Sequence, residues 1–236
     1  MKILAIETSA KAASVCLCEN EFLIAQSYQN SGLTHSQTVL PMCEDLLRHC
    51  GVSPREVDLI ACAAGPGSFT GLRIGLSTAK GLAWSLEKPC CGVSTLEAMA
   101  WPLAHRKGEI LCCMDARRHQ VYNARFSSDG AKLTRLVPDR AIALKELFEE
   151  LGEKNGQMVV GDGAELCYNV GRTAGVSLEI APPHLRFQSA WGVARAALEQ
   201  AGRGALTDAQ GLAANYIRLS QAERERLERA RNTKGE

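Results

Sequence analysis

The chain has 236 residues, 46% of them apolar, with 27 Lys and Arg against 26 Asp and Glu for a formal net charge of +1. That length and apolar content suffice for a sizeable core in one large or two small domains, and most of the chain lacks the composition of a disordered one. Near-neutral charge excludes a global drive toward nucleic acid, so any RNA contact has to be local or made by a partner.

No apolar run approaches the roughly 20 residues that cross a bilayer. The opening Met1-Lys2-Ile3-Leu4-Ala5-Ile6-Glu7 places a carboxylate after four apolar residues, which argues against a signal-peptide core. A cytoplasmic protein without membrane contact is expected. Of the ten cysteines, Cys90-Cys91 and Cys112-Cys113 are adjacent, Cys16 and Cys18 alternate, and no Cys-x-x-Cys pair occurs. That arrangement predicts free, buried thiols rather than a metal site or a disulfide framework.

In chain order, residues 2–9 read as a buried strand, and 12–18 and 21–28 follow as the second and third strands of an antiparallel meander. Thr34-His35-Ser36 starts a helix reaching Cys50, with Val39, Leu40, Cys43, Leu46, Leu47 and Cys50 along one face and Thr38, Met42, Asp45 and His49 elsewhere. Pro41 predicts an irregular start. Ser53-Pro54 caps a short turn, and residues 59–63 form a strand.

That strand enters Ala63-Ala64-Gly65-Pro66-Gly67-Ser68-Phe69-Thr70-Gly71-Leu72-Arg73. An apolar run, a Gly/Pro turn and then a helical period place free backbone N–H groups at a helix N-terminus, a geometry suited to an anion. It is not a Walker A loop, which needs Lys and Ser/Thr directly after its last Gly, nor a dinucleotide fingerprint, whose third Gly falls three residues after the second. In the helix, 71–86, one face carries Leu72, Gly75, Leu76, Ala79, Leu82, Ala83 and Leu86, and the other Arg73, Ser77, Lys80 and Trp84. Gly71, Gly75 and Gly81 each cost about 1 kcal/mol against Ala in a helix interior, which predicts a close approach at each. Trp84 among cations points either to a partner surface or to a Trp lying flat on its own domain.

Residues 89–93 are a further strand, and Ser94 with Glu97 makes a capping-box start for a helix over 95–103. Residues 110–116 and 120–126 form a hairpin around Arg117-Arg118-His119. An Arg pair at a turn either binds phosphate or is solvated and paired with its own Asp115. A helix is predicted over 142–151, with Leu144, Leu147, Phe148 and Leu151 inward. Met158-Val159-Val160 leads into Gly161-Asp162-Gly163, Pro182-Pro183 marks a linker, and 189–200 is a helix. From 221 to 236 alternating Glu and Arg predict a charged tail.

Gly-Pro-Gly-Ser-Phe-Thr-Gly-Leu-Arg at 65–73, placed after the Ile3-Leu4-Ala5-Ile6-Glu7-Thr8-Ser9 strand, closely resembles the bacterial TsaB (YeaZ) family. Asp115-Ala116-Arg117-Arg118 with Val121-Tyr122, and Tyr216-Ile217-Arg218, match further family elements. The resemblance implies an α/β fold of the actin/Hsp70/sugar-kinase (ASKHA) type, two related lobes of mixed sheet with helices. The expected division is 1–103 for the first lobe, 104–204 for the second, 205–220 packing back on the first, and 221–236 as tail. It also implies a non-catalytic scaffold that supports threonylcarbamoyladenosine formation on tRNA, with a TsaD-like catalytic paralogue and a TsaE-like ATPase as partners. Self-association as a homodimer, tRNA contact only through the complex, and ATP or ADP only at a joint interface complete the expectation.

The implied association surface is His35, Thr38, Met42, Asp45 and His49 with Arg73, Ser77, Lys80 and Trp84. An anion or nucleotide has Thr8, Ser9, Gly65, Gly67, Ser68, Arg117 and Arg118 as candidates. Glu7 stands where family members usually carry Asp, which lowers the expectation of magnesium-nucleotide chemistry. Where the paralogue has a metal-holding His-x-x-x-His, this chain has Thr95 and Met99, and neither replaces histidine on a metal. No catalytic or metal residue is therefore expected. The competing reading is an ATP-dependent phosphotransferase of the sugar-kinase class, for which Glu7 and Asp162 are the available carboxylates. A metallopeptidase lacks its histidines.

Overall fold

The computed structural model describes residues 1–152 and 156–218. Continuous apolar runs, buried on both faces in the inner strands, make the first half a five-stranded sheet: β1 (Lys2–Glu7), β2 (Ala13–Glu19), β3 (Phe22–Gln29), β4 (Leu59–Gly65) and β5 (Cys90–Ser94), in the order β3-β2-β1-β4-β5. The meander is antiparallel, and β4 and β5 add in parallel. The second half repeats the plan with β6 (Gly108–Asp115), β7 (Gln120–Ser128), β8 (Leu133–Ala143), β9 (Gln157–Val160) and β10 (Leu178–Ile180), in the order β8-β7-β6-β9-β10 and with the same strand directions.

Helices cover the faces. Against sheet 1, α1 (His35–His49) and α2 (Phe69–Leu86) bury Val39, Cys43, Leu46, Leu72, Leu76 and Ala79 on Leu4, Ile6, Val15 and Leu17. Against sheet 2, α4 (Leu144–Leu151) and α5 (Ala164–Thr173) pack on Leu111, Cys113, Val121 and Val159. The third helix of each half crosses to the other sheet. Leu96, Met99 and Ala100 of α3 (Thr95–Ala100) join Ile110, Cys112 and Phe126 of sheet 2, whereas Val193, Ala194 and Ala197 of α6 (Ala190–Gly202) join Ile3, Ala5 and Cys16 of sheet 1. The two helices meet so closely that a Cβ on Gly192 would collide with the Ala98 carbonyl oxygen.

Several expectations need correction. α6 lies on sheet 1, not with the second-half sheet that its place in the chain suggested. β8 was not foreseen, and it claims Ile142, so the helix expected from 142 begins at Leu144. α5 follows the Gly161-Asp162-Gly163 turn where no helix was read. α1 runs unbroken through Pro41. One intrahelical donor is lost there, and Pro41 is exposed, so water reaches the freed carbonyl. α3 gives way after Ala100 to a single tighter turn, Trp101–Leu103.

Residues 205–218 return to sheet 1. Thr207 exchanges backbone bonds of 2.8 and 2.9 Å with Cys90, Leu212 enters the core, and Asn215 N donates to the Ala64 carbonyl at 2.7 Å. The expected charged tail, 221–236, lies outside the described residues. All ten cysteines are free, nine of them buried and Cys50 half-buried. Burial pushes the Cys43 and Cys91 thiols up to about 12. Among the described residues no helix is long and apolar enough to cross a membrane.

Candidate functional site

Two features stand out: the cleft between the lobes and the outer face of α1 and α2. At the base of the cleft the 65–73 loop is clamped to the β1–β2 turn. Ser68 N donates to the Ser9 carbonyl at 2.6 Å, and a Cβ on Gly67 would overlap that carbonyl. A Cβ on Gly71 would overlap the Thr8 carbonyl, and one on Gly75 the Thr8 hydroxyl. Thr8 Oγ1 itself donates to the Gly71 carbonyl at 2.8 Å. Gly65 has φ 122°, and a Cβ there would lie 2.5 Å from the Asn215 carbonyl oxygen.

The loop is thus a packing clasp. Ser68 N is already bonded, and Gly71 N is capped by Ser68 Oγ at 3.3 Å, so much of the donor set expected for an anion is spent within the chain. Thr8 and Ser9 are buried and Gly65 faces the Asn215 backbone. Gly67, Ser68, Ser9 and Arg117 line the cleft, whose volume is about 520 Å³, whereas Arg118 lines a groove on the other side of its turn. The two arginines therefore do not converge on one phosphate position.

Glu7 is wholly buried. Burial pushes its carboxyl up to about 7 despite the Ser9 amide bonded to it at 2.5 Å, and the charge of Asp162 adds to the rise. The Asp162 carboxyl is also raised by loss of water, and Gln188 Nε2 approaches it at 3.5 Å. A fully enclosed Glu7, whose ionisation burial disfavours, fits poorly as a magnesium ligand for a bound nucleotide. Nor do the residues on α3 fit a metal: Thr95 and Met99 are buried, and Met99 packs on sheet 2. The described residues hold no cluster of three His, Cys, Asp or Glu suited to a metal ion.

On the outer face Trp84 is 69% exposed, which removes the reading of a Trp lying flat on its own lobe. Ser77 and Arg73 are exposed beside it and Lys80 is half-buried. Gly71 and Gly75 have the predicted close approaches, but Gly81 is exposed with nothing within 4 Å of its Cβ position. The expectation for that glycine fails within this chain.

α1 presents a different stripe from the expected one. His35 is half-buried, its Nε2 donating to the Ala10 carbonyl at 2.8 Å. Thr38 and Met42 are half-buried too, and Met42 packs on the core. Asp45 and His49 are exposed, Asp45 pairing with Arg48 at 2.5 Å. Leu40, Glu44, Leu47 and Arg48, roughly 150° around the helix, line an apolar groove of about 390 Å³ with Leu82, Ser85 and Leu86 of α2. Leu40 is exposed there, so this flank of α1 is continuous with α2 as well, while His35 of the expected stripe reaches Gly71 of α2. An exposed Leu between turn-spaced polar residues was the available signal.

Sequence reasoning also assigned no role to the cleft's C-terminal wall. Tyr216 stacks on Phe69 with ring centroids 4.7 Å apart, and the Arg73 guanidinium lies 3.8 Å over Phe69 while Nε donates to Tyr216 Oη at 3.3 Å. Arg218 Nη1 donates to the Ala116 carbonyl at 2.8 Å.

A duplicated β3-β2-β1-β4-β5 sheet, with crossed helices and a cleft closed by the β1–β2 and β6–β7 turns, is the ASKHA fold. The family model described as "TsaD: tRNA N6-adenosine threonylcarbamoyltransferase" matches residues 29–214. The chain is 39% identical over 155 residues to the Bacillus subtilis tRNA threonylcarbamoyladenosine biosynthesis protein TsaB, covering 66% of this chain and 68% of that protein. It is 35% identical over 182 residues to the Escherichia coli protein of the same name, covering 75% and 78%. The YeaZ structure from Pseudomonas aeruginosa superposes with a TM-score of 0.75 at 24% identity, over 91% of this chain and 99% of that one, and shares the fold. The chain belongs to the TsaB (YeaZ) family.

Proposed function

We propose that this chain is a non-catalytic subunit of the assembly that transfers a threonylcarbamoyl group to the adenosine beside the anticodon of tRNA. It acts by binding a TsaD-like catalytic paralogue through the outer face of α1 and α2. The names of the curated relatives support the pathway. The observation that carries the binding role is Trp84, a large aromatic standing 69% exposed on a helix whose other face is core. Beside it Gly81 leaves room for a second helix backbone, and the Leu40–Leu82 groove supplies apolar surface. A central aromatic anchor of this kind typically dominates an interface.

In the partner's absence the same face supports a two-fold homodimer. The reading places a TsaE-like ATPase, any ATP or ADP, and tRNA at the joint assembly rather than on this chain alone, in the cytoplasm. Against the phosphotransferase alternative stands Glu7, fully buried and disfavoured by that burial from ionising, where a kinase needs an accessible carboxylate on magnesium.

Trp84→Glu tests the proposal. The variant should keep its circular dichroism and melting profile and lose co-purification with the TsaD-like chain, calorimetric affinity falling about 30-fold or more. Undiminished binding, or ATP turnover by the isolated chain at ordinary enzyme rates, overturns the reading.

A further inference from the structure

We propose that the β6–β7 turn, Arg117-Arg118-His119, together with Tyr216 at the cleft mouth, is a direct binding site for looped single-stranded RNA. The proposal rests on the tRNA-modification reading above and assigns this chain its own contact to the nucleic acid.

Backbone conformation is the first ground. Arg117, Arg118 and His119 have φ values of 65°, 54° and 56°, three successive left-handed residues, none of them glycine. L residues with a Cβ adopt that region at a cost, and a simple turn takes Gly or Asn there. Here the conformation is tied down on all sides. Ala116 N donates to Gln120 O at 3.0 Å, Arg117 N to Asp115 Oδ1 at 2.7 Å, and Leu144 N to His119 O at 3.1 Å. The Arg218 guanidinium holds Ala116 O from the far side. A strained turn this thoroughly braced, with two arginines in it, points to a demand on those side chains rather than on the turn.

The side chains fan to both sides. Arg117, 87% exposed, lines the cleft with Lys11 and Arg218, while Arg118 and His119 line the opposite groove with Lys145. Asp115 and Asp162 in the cleft and Glu149 in the groove balance only part of this. Asp115 receives the turn's own N–H and lies 3.9 Å from Arg117, and Glu149 takes Lys145 at 3.8 Å. Arg118 has no ion-pair partner among the described residues. In a chain of net charge +1, this is a local cationic ridge.

Aromatic surface decides the ligand class. Tyr216 is 43% exposed, braced from behind by Phe69 and Arg73, and opens into the cleft that Arg117 lines. A ridge that tracks phosphates beside a stacking platform for an unpaired base is the arrangement that takes single-stranded nucleic acid. A fully paired, stacked duplex has no free base face to lay on the ring.

The test uses the assembly with its TsaD-like partner and a substrate tRNA, titrated by fluorescence anisotropy across a salt series. The double variant Arg117→Gly/Arg118→Gly cannot fail to fold through backbone strain, and its melting temperature should hold or rise. It should bind tRNA about tenfold more weakly near 0.15 M salt, with the log–log salt slope shallower by about 1.4, two single-strand phosphate contacts. Tyr216→Ala should weaken binding by about fivefold to 150-fold without moving the slope, and Tyr216→Phe should restore it. Unchanged tRNA affinity and slope, with partner co-purification intact, overturn this proposal and leave the subunit reading standing. Loss of the partner from the double variant with tRNA binding kept makes the turn a protein contact and overturns it as well. Failure of the wild-type chain to bind the partner at all is the separate result that sinks the subunit reading.

Discussion

Gly71 and Gly81 sit on one helix and should answer the same substitution with opposite signs. At Gly81 nothing lies within 4 Å of the added Cβ, so Gly81→Ala gains the helix propensity alone, about 1 kcal/mol, or a melting temperature about 2–4 °C higher at this chain length. At Gly71 the same gain is opposed by a Cβ well under 3.0 Å from the Thr8 carbonyl oxygen and 3.3 Å from His35 Cδ2. The Thr8 oxygen is backbone, in the buried turn that follows β1, and cannot rotate aside, so overpacking of about 1–3 kcal/mol applies. Disruption of the Thr8–Gly71 hydrogen bond adds about 1 kcal/mol.

Gly71→Ala should therefore be about 2 kcal/mol less stable than the parent and about 3 kcal/mol below Gly81→Ala. Urea unfolding separates them by midpoint at unchanged slope. A shift in the same direction for both refutes the assignment of Gly71 to an internal close approach and Gly81 to an open surface. Calorimetry with the TsaD-like partner adds a second readout: Gly81→Ala should stabilise the chain and weaken the association, because the new methyl occupies the space a partner helix would use.

Glu7 gives a pH signature. Its folded pKa, about 7, lies above the ordinary 4.5, so its contribution is complete below pH 4.5 and is lost as pH rises through 7, by at most about 3 kcal/mol. Glu7→Gln should flatten that fall, and parallel urea midpoints at pH 5 and pH 8 would show the parent losing ground to the variant at the higher pH. An aromatic disulfide reagent should titrate Cys50 quickly and the nine buried thiols only after denaturation; a second fast thiol in the native chain would contradict the packing.

The meander, the clasp loop and the inward stripe of α2 were legible because each is specified by local period and by turn residues. β8 was not. Its eleven residues include Arg135, Pro138, Asp139 and Arg140, and its stability comes from partners distant in sequence. Arg135 pairs with Glu97 and Asp139 and lies over Phe126, and Arg140 pairs with Glu150. The burial of two α1 residues was misread for a related reason. A helical wheel separates inside from outside but does not say which flank faces α2 and which faces β3, so Met42 was assigned to the open side and Leu40 to the core. Tyr216 and Arg218 were expected to pack back on the first lobe, but their partners Phe69 and Ala116 were not legible because only the fold brings them together.

The exchange of α3 and α6 makes each lobe's core depend on a helix encoded in the other half. A cut at the midpoint of the chain would strip both sheets of a face, so neither half should survive as a separate fragment. The lobes should melt as a single unit rather than in sequence. Opening of the cleft should correspondingly be confined to small pivots about the point where Gly192 rides on Ala98, and a partner bound to either lobe would pass its position to the other through that crossing.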